Sequence, residues 1–428
     1  MSTWRAARPS RRPLSGGSTR LWLGNLGEGQ EVGMVTRERE LMRVPFGPIH
    51  PALKEPVKLT LLVDGEEVVD VSIELGYVHR GIEALAETRN IVQVLHLVER
   101  VCGICSHAHP LCFIQAIESI GGIEPPERAL YIRSLVAELE RMQSHLMWLG
   151  VMSYQAGLLT LFMYALRIRE GILDVLEEFT GNRVIKEVNT IGGVRRDLDD
   201  RIIARMRSAV KELRRALKLL IEAVHDKTLE SRLEGVGVLE HGEAVELCAV
   251  GPVARASGVD FDVRRDDPYA AYSQLRGKFS VIVRRGGDAL SRTEVRILEV
   301  LESTELVEAI LDELPQGEVR LGKPLLRLSR EIPAGEDVSR VEAPRGELLY
   351  YVRTDGREFL NRLRIRTPTL ANFPALMAML RGSELADVPI ILSSIDPCIA
   401  CAERVTLVDA REGARRTVRL SELRRGGG

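Results

Sequence analysis

The fold is decided by the stretch Glu99-Arg-Val-Cys102-Gly-Ile-Cys105-Ser-His107 and by its counterpart Asp396-Pro-Cys398-Ile-Ala-Cys401-Ala-Glu-Arg404. In each stretch, the spacer of two residues between the cysteines lets both sulfur atoms approach one metal centre. Thiolates favour soft or borderline metals. Because nearly 300 residues separate the two cysteine pairs, only a large fold can bring them together.

The spacing of the cysteines leaves three kinds of site open. One is a structural zinc site with four cysteine ligands, although the pairs of zinc ribbons usually lie only a few tens of residues apart. The second is a redox or catalytic metal site, and the third is a redox-active dithiol pair. Cys112 and Cys248 lie outside both motifs, and we expect both to be buried, unreactive thiols.

Composition narrows the class of protein. Of the 428 residues, 45% are hydrophobic and 28% are charged, which is typical of a globular protein. The net charge of −2 gives no electrostatic basis for binding nucleic acid. The cysteines do not resemble a secreted disulfide framework and fit a reducing, cytosolic setting. No apolar run approaches the ~18 residues of a membrane span, so we expect a soluble chain that could dock onto a membrane complex.

Hydrophobic periodicity predicts an α+β fold that is predominantly helical. Alternating apolar residues from Val57 onward, around Asp64-Gly65, predict a β-hairpin or small sheet near the N-terminus. Apolar residues at helical spacing predict a central bundle of long helices. The predicted helices cover residues 109–120, 126–150, 157–180, 198–225 and 291–314. Short strands are predicted near residues 348–352 and 389–392.

The same patterns divide the chain into three parts. Residues 1–40 are rich in Arg, Gly and Ser without periodicity, so we expect a disordered extension. Residues 41–404 should form one domain, with the metal site between the two cysteine segments. Residues 405–428 should form a C-terminal extension with strand-like alternation at its start.

The two motifs resemble the paired signatures of the catalytic large subunit of nickel-iron hydrogenases. The resemblance is to the membrane-bound, energy-converting type, which is related to the quinone-site subunit of respiratory complex I. It runs from Pro45 to Arg404 and includes Pro45-Phe-Gly-Pro-Ile-His50-Pro51, His79-Arg80-Gly81, Ile191-Gly-Gly-Val-Arg195-Arg196-Asp197, Gly251-Pro252 and Ala343-Pro-Arg345-Gly-Glu347. The complex I subunit lacks the four cysteines, so their presence favours a metal site over a quinone site.

The resemblance implies a nickel-iron centre that catalyses reversible heterolytic cleavage of H2. All four thiolates would bind nickel, with Cys102 and Cys398 as terminal ligands. Cys105 and Cys401 would also bridge to iron, which carries carbon monoxide and cyanide in this family. The proton released from H2 needs a nearby base.

Four further residues match positions around that centre. Glu55 takes the position of a carboxylate that relays the proton, although alone it could simply end a loop before a strand. Arg345 resembles the arginine over the open face of the metal, and Asp396 would pair with it or begin a structural turn. His50 could orient the site by hydrogen bonding, or be purely structural.

Two carboxylates have less certain roles. Glu83 matches a residue that binds an extra magnesium or iron ion in many relatives. Arg404 stands where those relatives have histidine, which puts this ion in doubt. Glu99 would support the metal ligands or belong to the proton path, or it is an exposed helix charge.

The chain has no further cysteine cluster for iron–sulfur centres, so electrons need a partner. The resemblance implies a small subunit with a proximal 4Fe-4S cluster, ferredoxin-like subunits, and membrane subunits that translocate ions. It also implies peripheral attachment at the cytoplasmic side of the membrane. Residues 405–428 resemble an extension that a maturation protease removes by cutting after Arg404, or alternatively form a retained hairpin.

Two other functions remain open at this point. The first is a complex-I-like module that reduces quinone or sulfur and kept the cysteines without nickel chemistry. The second is a scaffold subunit stabilised by zinc, which would unfold when the metal is chelated.

Overall fold

A small antiparallel sheet opens the part of the chain that the structure describes. This computed structural model describes residues 41–402, 407–408 and 415–416, so the expectations for residues 1–40, for Arg404 and for most of 405–428 lie outside it. Strands β1 (Met42–Phe46), β2 (Lys58–Asp64) and β3 (Glu67–Glu74) pair in sequence order. Leu59, Leu61 and Val63 alternate inward along β2 and are fully buried. The predicted hairpin is confirmed, with β1 as an additional strand.

Long helices form the centre of the molecule, as the periodicity predicts. The helices before residue 260 are α1 (Ile82–Ala86), α2 (Ile91–Val98), α3 (Ala108–Gly121), α4 (Glu127–Gln155), α5 (Leu159–Thr180), α6 (Asp200–Val224), α7 (Lys227–Leu233), α8 (His241–Glu246) and α9 (Gly251–Ala256). Those after it are α10 (Val263–Asp266), α11 (Ala289–Asp312), α12 (Leu325–Arg330), α13 (Pro368–Leu380) and α14 (Val388–Ser394). Helices α4, α5, α6 and α11 pack side by side as a bundle, with α4 the most deeply buried.

Further strands pair in three places, and one of these sheets lies against α3. Strands β4 (Asn189–Thr190) and β5 (Gly193–Val194) form a two-stranded pair. Strands β6 (Ala334–Ala343), β7 (Gly346–Asp355) and β8 (Leu360–Arg366) form an antiparallel sheet against which α3 packs. Strands β9 (Leu407–Val408) and β10 (Arg415–Arg416) also pair antiparallel. The predicted strand at residues 348–352 is confirmed as part of β7.

The predicted strand at residues 389–392 is wrong. The segment lies in α14, with Pro389 in the first turn of the helix, where proline's missing N–H costs nothing. Its apolar residues are buried on more than one face of the helix. A short apolar run of this kind cannot be assigned to strand or helix from periodicity alone.

The helix bundle contains a buried network of charges. Glu299 of α11 accepts hydrogen bonds from His145 Nε2 and from Arg255 Nε, both at 2.9 Å. Burial alone would raise the pKa of Glu299, but Arg255 and His145 hold it below its ordinary value. Burial lowers the pKa of His145 to about 4. The network joins α4, α9 and α11.

Replacing Glu299 with glutamine should destabilise the fold by about 3 kcal/mol, because the buried Arg255 guanidinium loses one of the three carboxylates that pair with it, those of Glu299, Glu342 and Asp262. Chemical denaturation would measure this difference. Glu308→Gln on the same helix, at a half-exposed ion pair with Arg214, should cost less than about 1 kcal/mol. Equal stabilities for the two variants would contradict the prediction.

Among the described residues, no helix combines the length and the apolar character that a bilayer crossing requires. The described residues from Met42 onward form one compact unit by their contacts. The observed architecture confirms the predicted fold class, a mostly helical α+β arrangement with a small N-terminal sheet.

Candidate metal centre

The two cysteine motifs meet in one buried cluster of sulfur atoms. The Sγ atoms of Cys102 and Cys398 lie 3.5 Å apart, and those of Cys398 and Cys401 lie 2.8 Å apart. The backbone N–H of Cys105 donates a hydrogen bond to Cys102 Sγ at 3.3 Å. All four cysteines are free thiols and buried. The structure therefore brings together two cysteine pairs that are almost 300 residues apart in sequence.

The first motif forms the connection between α2 and α3. The carboxylate of Glu140, on α4, accepts hydrogen bonds from the backbone N–H groups of His107 at 2.8 Å and Ala108 at 3.0 Å. Lys186 Nζ lies 2.9 Å from the same carboxylate. This buried ion pair fixes the start of α3, and sequence patterns gave no indication of it.

The second motif follows α14 and ends in a 3-10 turn, Ile399–Cys401. Asp396 begins it with a positive φ of 56°, a conformation that Asp tolerates better than most residues. The N–H of Cys401 donates to the carbonyl of Cys398 at 3.1 Å. This turn places both sulfurs of the pair on the same side.

Arg80 links the two motifs through backbone carbonyls. Its Nη1 donates to the carbonyl of Arg100 at 2.6 Å, and its Nη2 donates to the carbonyls of Val101 and Ala400, both at 2.8 Å. One guanidinium thus contacts the residue before Cys102 and the residue before Cys401. The sequence placed Arg80 in a family motif but did not indicate this contact.

The close packing of the four thiols separates their pKa values. The pKa of Cys102 lies well below its ordinary value, because the thiols of Cys105, Cys398 and Cys401 hydrogen-bond to its thiolate. The pKa values of the other three lie well above theirs, through these hydrogen bonds to Cys102 and through burial. The sulfurs of Cys102, Cys398 and Cys401 lie close enough to share one ion, and in their ionised form they would need the charge of a bound cation.

A cavity of about 320 Å³ opens beside this cluster. Cys102 and Cys398 line it together with Glu55, Arg345 and Asp396, and its apolar walls include Leu53, Ile104, Met147, Trp148, Val151 and Leu392. Structural zinc sites are closed, whereas catalytic metal sites keep a position open. The buried sulfur donors fit a soft or borderline transition metal, and the cavity lined by Cys102 and Cys398 would leave such a metal accessible from one side.

Arg345 and Asp396 form an ion pair at this cavity. The Nη2 atom of Arg345 lies 2.9 Å from Asp396 Oδ1, and its Nε donates to the Asp396 carbonyl at 2.8 Å. Its Nη1 donates to Cys105 Sγ at 3.3 Å. The positive charge of Arg345 is therefore directed at the sulfur cluster, and Asp396 fixes its orientation.

Glu55 lies at the cavity wall, whereas His50 does not. The Oε2 atom of Glu55 accepts a hydrogen bond from the N–H of Ala400 at 3.0 Å, which ties it to the second motif. The Nδ1 atom of His50 accepts from the N–H of Ala52 at 3.2 Å, and its ring packs 3.9 Å from that of Phe46. His50 thus shapes the loop that carries Glu55 rather than lining the cavity.

Glu83 and Glu99 both make internal contacts. Glu83 pairs with Arg364, and its Oε1 accepts from the N–H of Ile365 at 2.9 Å. The Arg364 guanidinium thus already provides a positive charge beside this carboxylate. Glu99 is 1% exposed, so the reading as an exposed helix charge is wrong, and burial raises its pKa. His96 Nδ1 lies 3.8 Å from it.

The two remaining cysteines differ in exposure. Cys112 is buried, as expected, and burial raises the pKa of its thiol to about 12. Cys248 is exposed, so the expectation of burial is wrong there. It follows α8 at a positive φ of 52°, a turn conformation that apolar spacing does not predict.

Comparisons with known proteins match the chain to families that include nickel-dependent hydrogenases. Residues 155–404 match the family model described as the respiratory-chain NADH dehydrogenase 49 Kd subunit, and residues 80–153 match that of nickel-dependent hydrogenases. The chain belongs to this joint family of hydrogenase large subunits and complex I 49 kDa subunits. Members of the hydrogenase–complex I family are oxidoreductase subunits, and the resemblance read from the motifs is confirmed.

Individual relatives in the hydrogenase–complex I family cover most of the chain. The membrane-bound hydrogenase subunit alpha of Pyrococcus furiosus is 41% identical over 377 residues, covering 86% of this chain and 88% of that protein. The carbon monoxide-induced hydrogenase of Rhodospirillum rubrum is 41% identical over 365 residues, covering 84% and 99%. A chain of an archaeal membrane-bound sulfane sulfur reductase complex superposes with a TM-score of 0.81 at 35% identity, covering 86% and 100%.

Proposed function

We propose that this chain is the catalytic large subunit of a membrane-associated nickel-iron hydrogenase. The observation that carries the proposal is the convergence of the two cysteine pairs beside an open cavity that also holds Glu55 and Arg345. The match of residues 80–153 to nickel-dependent hydrogenases supports it. The reaction is reversible heterolytic cleavage of H2, or proton reduction in the opposite direction.

The four cysteines hold the metals. All four thiolates would hold nickel, and Cys105 and Cys401 would also hold the iron, for which the resemblance implies carbon monoxide and cyanide ligands. When bound, this centre supplies the Lewis acidity and electron transfer that H2 cleavage requires. Burial of all four sulfurs excludes water from the donors.

Glu55 moves the proton. Its hydrogen bond to the Ala400 N–H holds the carboxylate at the cavity wall through Oε2. The other carboxylate oxygen takes up the proton released in the cavity and passes it on toward solvent. A positioned general base of this kind contributes roughly 10²–10⁴-fold to the rate of a reaction.

Arg345 supplies a fixed positive charge at the reacting end of the cavity. Its hydrogen bond to Cys105 Sγ stabilises negative charge on that sulfur. Asp396 holds the guanidinium in place by two contacts. The apolar side chains of Met147 and Trp148 keep the cavity poor in water, which strengthens these electrostatic interactions.

The proposed partners follow from the need for an electron-transfer route, because the sequence has no further cysteine cluster for iron–sulfur centres. Electrons leave through a small subunit with a proximal 4Fe-4S cluster, then through ferredoxin-like subunits to a ferredoxin-type carrier. Ion-translocating membrane subunits anchor the chain peripherally at the cytoplasmic side of the membrane. A maturation protease removes residues 405–428 after metal insertion. An additional magnesium ion at Glu83 would have to displace Arg364.

Metal analysis of the purified complex tests the proposal. We expect about one nickel per chain, infrared bands of iron-bound carbon monoxide and cyanide, and H2-dependent reduction of a dye. One zinc per chain without these bands, together with unfolding on chelation, would instead identify a scaffold subunit.

Reduction of sulfur or quinone is the second candidate function. The cavity of about 320 Å³ is larger than H2 needs, and one structural relative belongs to a sulfane sulfur reductase complex. A complex that lacks nickel but reduces polysulfide or a quinone would establish this alternative.

A further inference from the structure

Two threonine hydroxyls hold the second cysteine pair from the start of α13. Thr369 Oγ1 accepts a hydrogen bond from the N–H of Cys398 at 3.1 Å. Thr367 Oγ1 donates to the carbonyl of Cys401, also at 3.1 Å. Both threonines are fully or almost fully buried, at 0% and 3% exposure. The first and the last residue of the CxxC turn are therefore both bound by one short stretch, Thr367-Pro368-Thr369.

The geometry of this stretch is fixed independently of the cysteines. Thr367 is the N-cap of α13, and its hydroxyl oxygen also accepts from the N–H of Leu370. Pro368 occupies the first turn of the helix, where its restricted φ suits the helical conformation. The two hydroxyls are thus held at a constant separation by the end of a 13-residue helix.

The cysteine turn itself has little regular structure to hold it. It is a single 3-10 turn of three residues, Ile399–Cys401. Its other polar backbone contacts come from the side chains of Glu55 and Arg80, both at Ala400. Side chains from separate elements therefore determine where the two sulfurs lie, and the threonines contact the cysteine residues themselves.

We propose that Thr367 and Thr369 are positioning residues of the metal centre, which fix Cys398 and Cys401 at the spacing that the metal requires. The inference extends the proposed four-cysteine centre and rests on it. Neither threonine lines the cavity beside the sulfur cluster. Each acts through a backbone group of a ligand residue, in the manner of the outer contacts that orient ligands in other metal sites.

Isosteric replacement separates the hydroxyl from the shape of the side chain. Thr369→Val keeps the volume but leaves the buried N–H of Cys398 without an acceptor, and Thr369→Ser restores the acceptor. Thr293→Val is the matched control, because Thr293 is equally buried and bonds only to the Ala289 carbonyl of its own helix. Thermal melting of each variant reports on folding.

The readout is Co²⁺ binding to the metal-free complex under anaerobic conditions, followed by thiolate-to-cobalt absorption. We expect Thr369→Val to weaken Co²⁺ binding about tenfold or more and to change the absorption spectrum. Thr369→Ser and Thr293→Val should bind within about twofold of the unaltered protein. The same pattern is expected for Thr367→Val and Thr367→Ser.

The outcomes distinguish this inference from the proposed function. Unchanged Co²⁺ affinity and spectrum in both valine variants would overturn the positioning role, as would an equal loss in Thr293→Val. The expected pattern in a complex that natively carries no nickel would support the threonine role and refute the hydrogenase assignment.

Discussion

Replacing Cys398 with serine should abolish nickel binding and H2-dependent activity, and the chain should remain folded. A serine hydroxyl is a much harder ligand than a thiolate and does not ionise at neutral pH, so it cannot replace a soft donor. We expect nickel content and activity to fall by more than about 100-fold, beyond the loss typical of altered outer contacts. Elemental analysis and dye reduction under H2 measure the two quantities.

Cys112→Ser is the matched control for that variant. Cys112 is also buried, but its sulfur bonds to Ser339 and the Leu348 carbonyl and lies outside the cluster. This control should retain nickel and most of its activity. If both serine variants kept full nickel, the four-cysteine centre would be excluded.

Replacing Glu55 with glutamine should lower turnover by about 10²–10³-fold without loss of nickel, because the amide cannot accept the proton. The amide oxygen can still accept the Ala400 N–H, so the second motif should keep its position. Steady-state H2 oxidation and evolution measure the effect, and infrared spectra confirm an intact metal centre. Glu55→Asp should retain partial activity.

Two results would contradict a proton-relay role for Glu55. Full activity of Glu55→Gln would remove Glu55 from the mechanism. Loss of nickel along with activity would show that Glu55 acts instead by holding the second cysteine motif through its contact with Ala400. Glu74→Gln, at a partly exposed pair with Lys58 on the N-terminal sheet, should leave both activity and nickel unchanged.

Much of the centre could be predicted from sequence because its chemistry depends on residue type. Thiolates at CxxC spacing indicate a metal site or a redox-active dithiol pair. Arg345 and Asp396 could be assigned because their motifs resemble those of hydrogenase large subunits, and the structure pairs them. The long helices could also be predicted, because apolar residues recur at helical spacing over many turns in segments such as α6.

The remaining contacts could not be predicted because they depend on tertiary packing. The pair of Glu140 with Lys186 joins residues 46 positions apart and follows no local pattern. Thr367 and Thr369 look like an ordinary helix start in sequence, and only the fold places them against the cysteines. In the sequence, Glu299 looks like an ordinary carboxylate on a helix surface. Only the packing of α4 and α9 against α11 shows that it is buried.

The order of the cysteine motifs along the chain has a consequence for biosynthesis. A ribosome makes Cys102 and Cys105 early, and it makes Cys398 and Cys401 only after the helix bundle and both larger sheets. Since domains fold progressively during synthesis, the scaffold can form before its last two ligands exist. Under the proposed function, nickel loading would therefore follow translation, and a prematurely terminated product could fold as a scaffold but could not complete the metal centre.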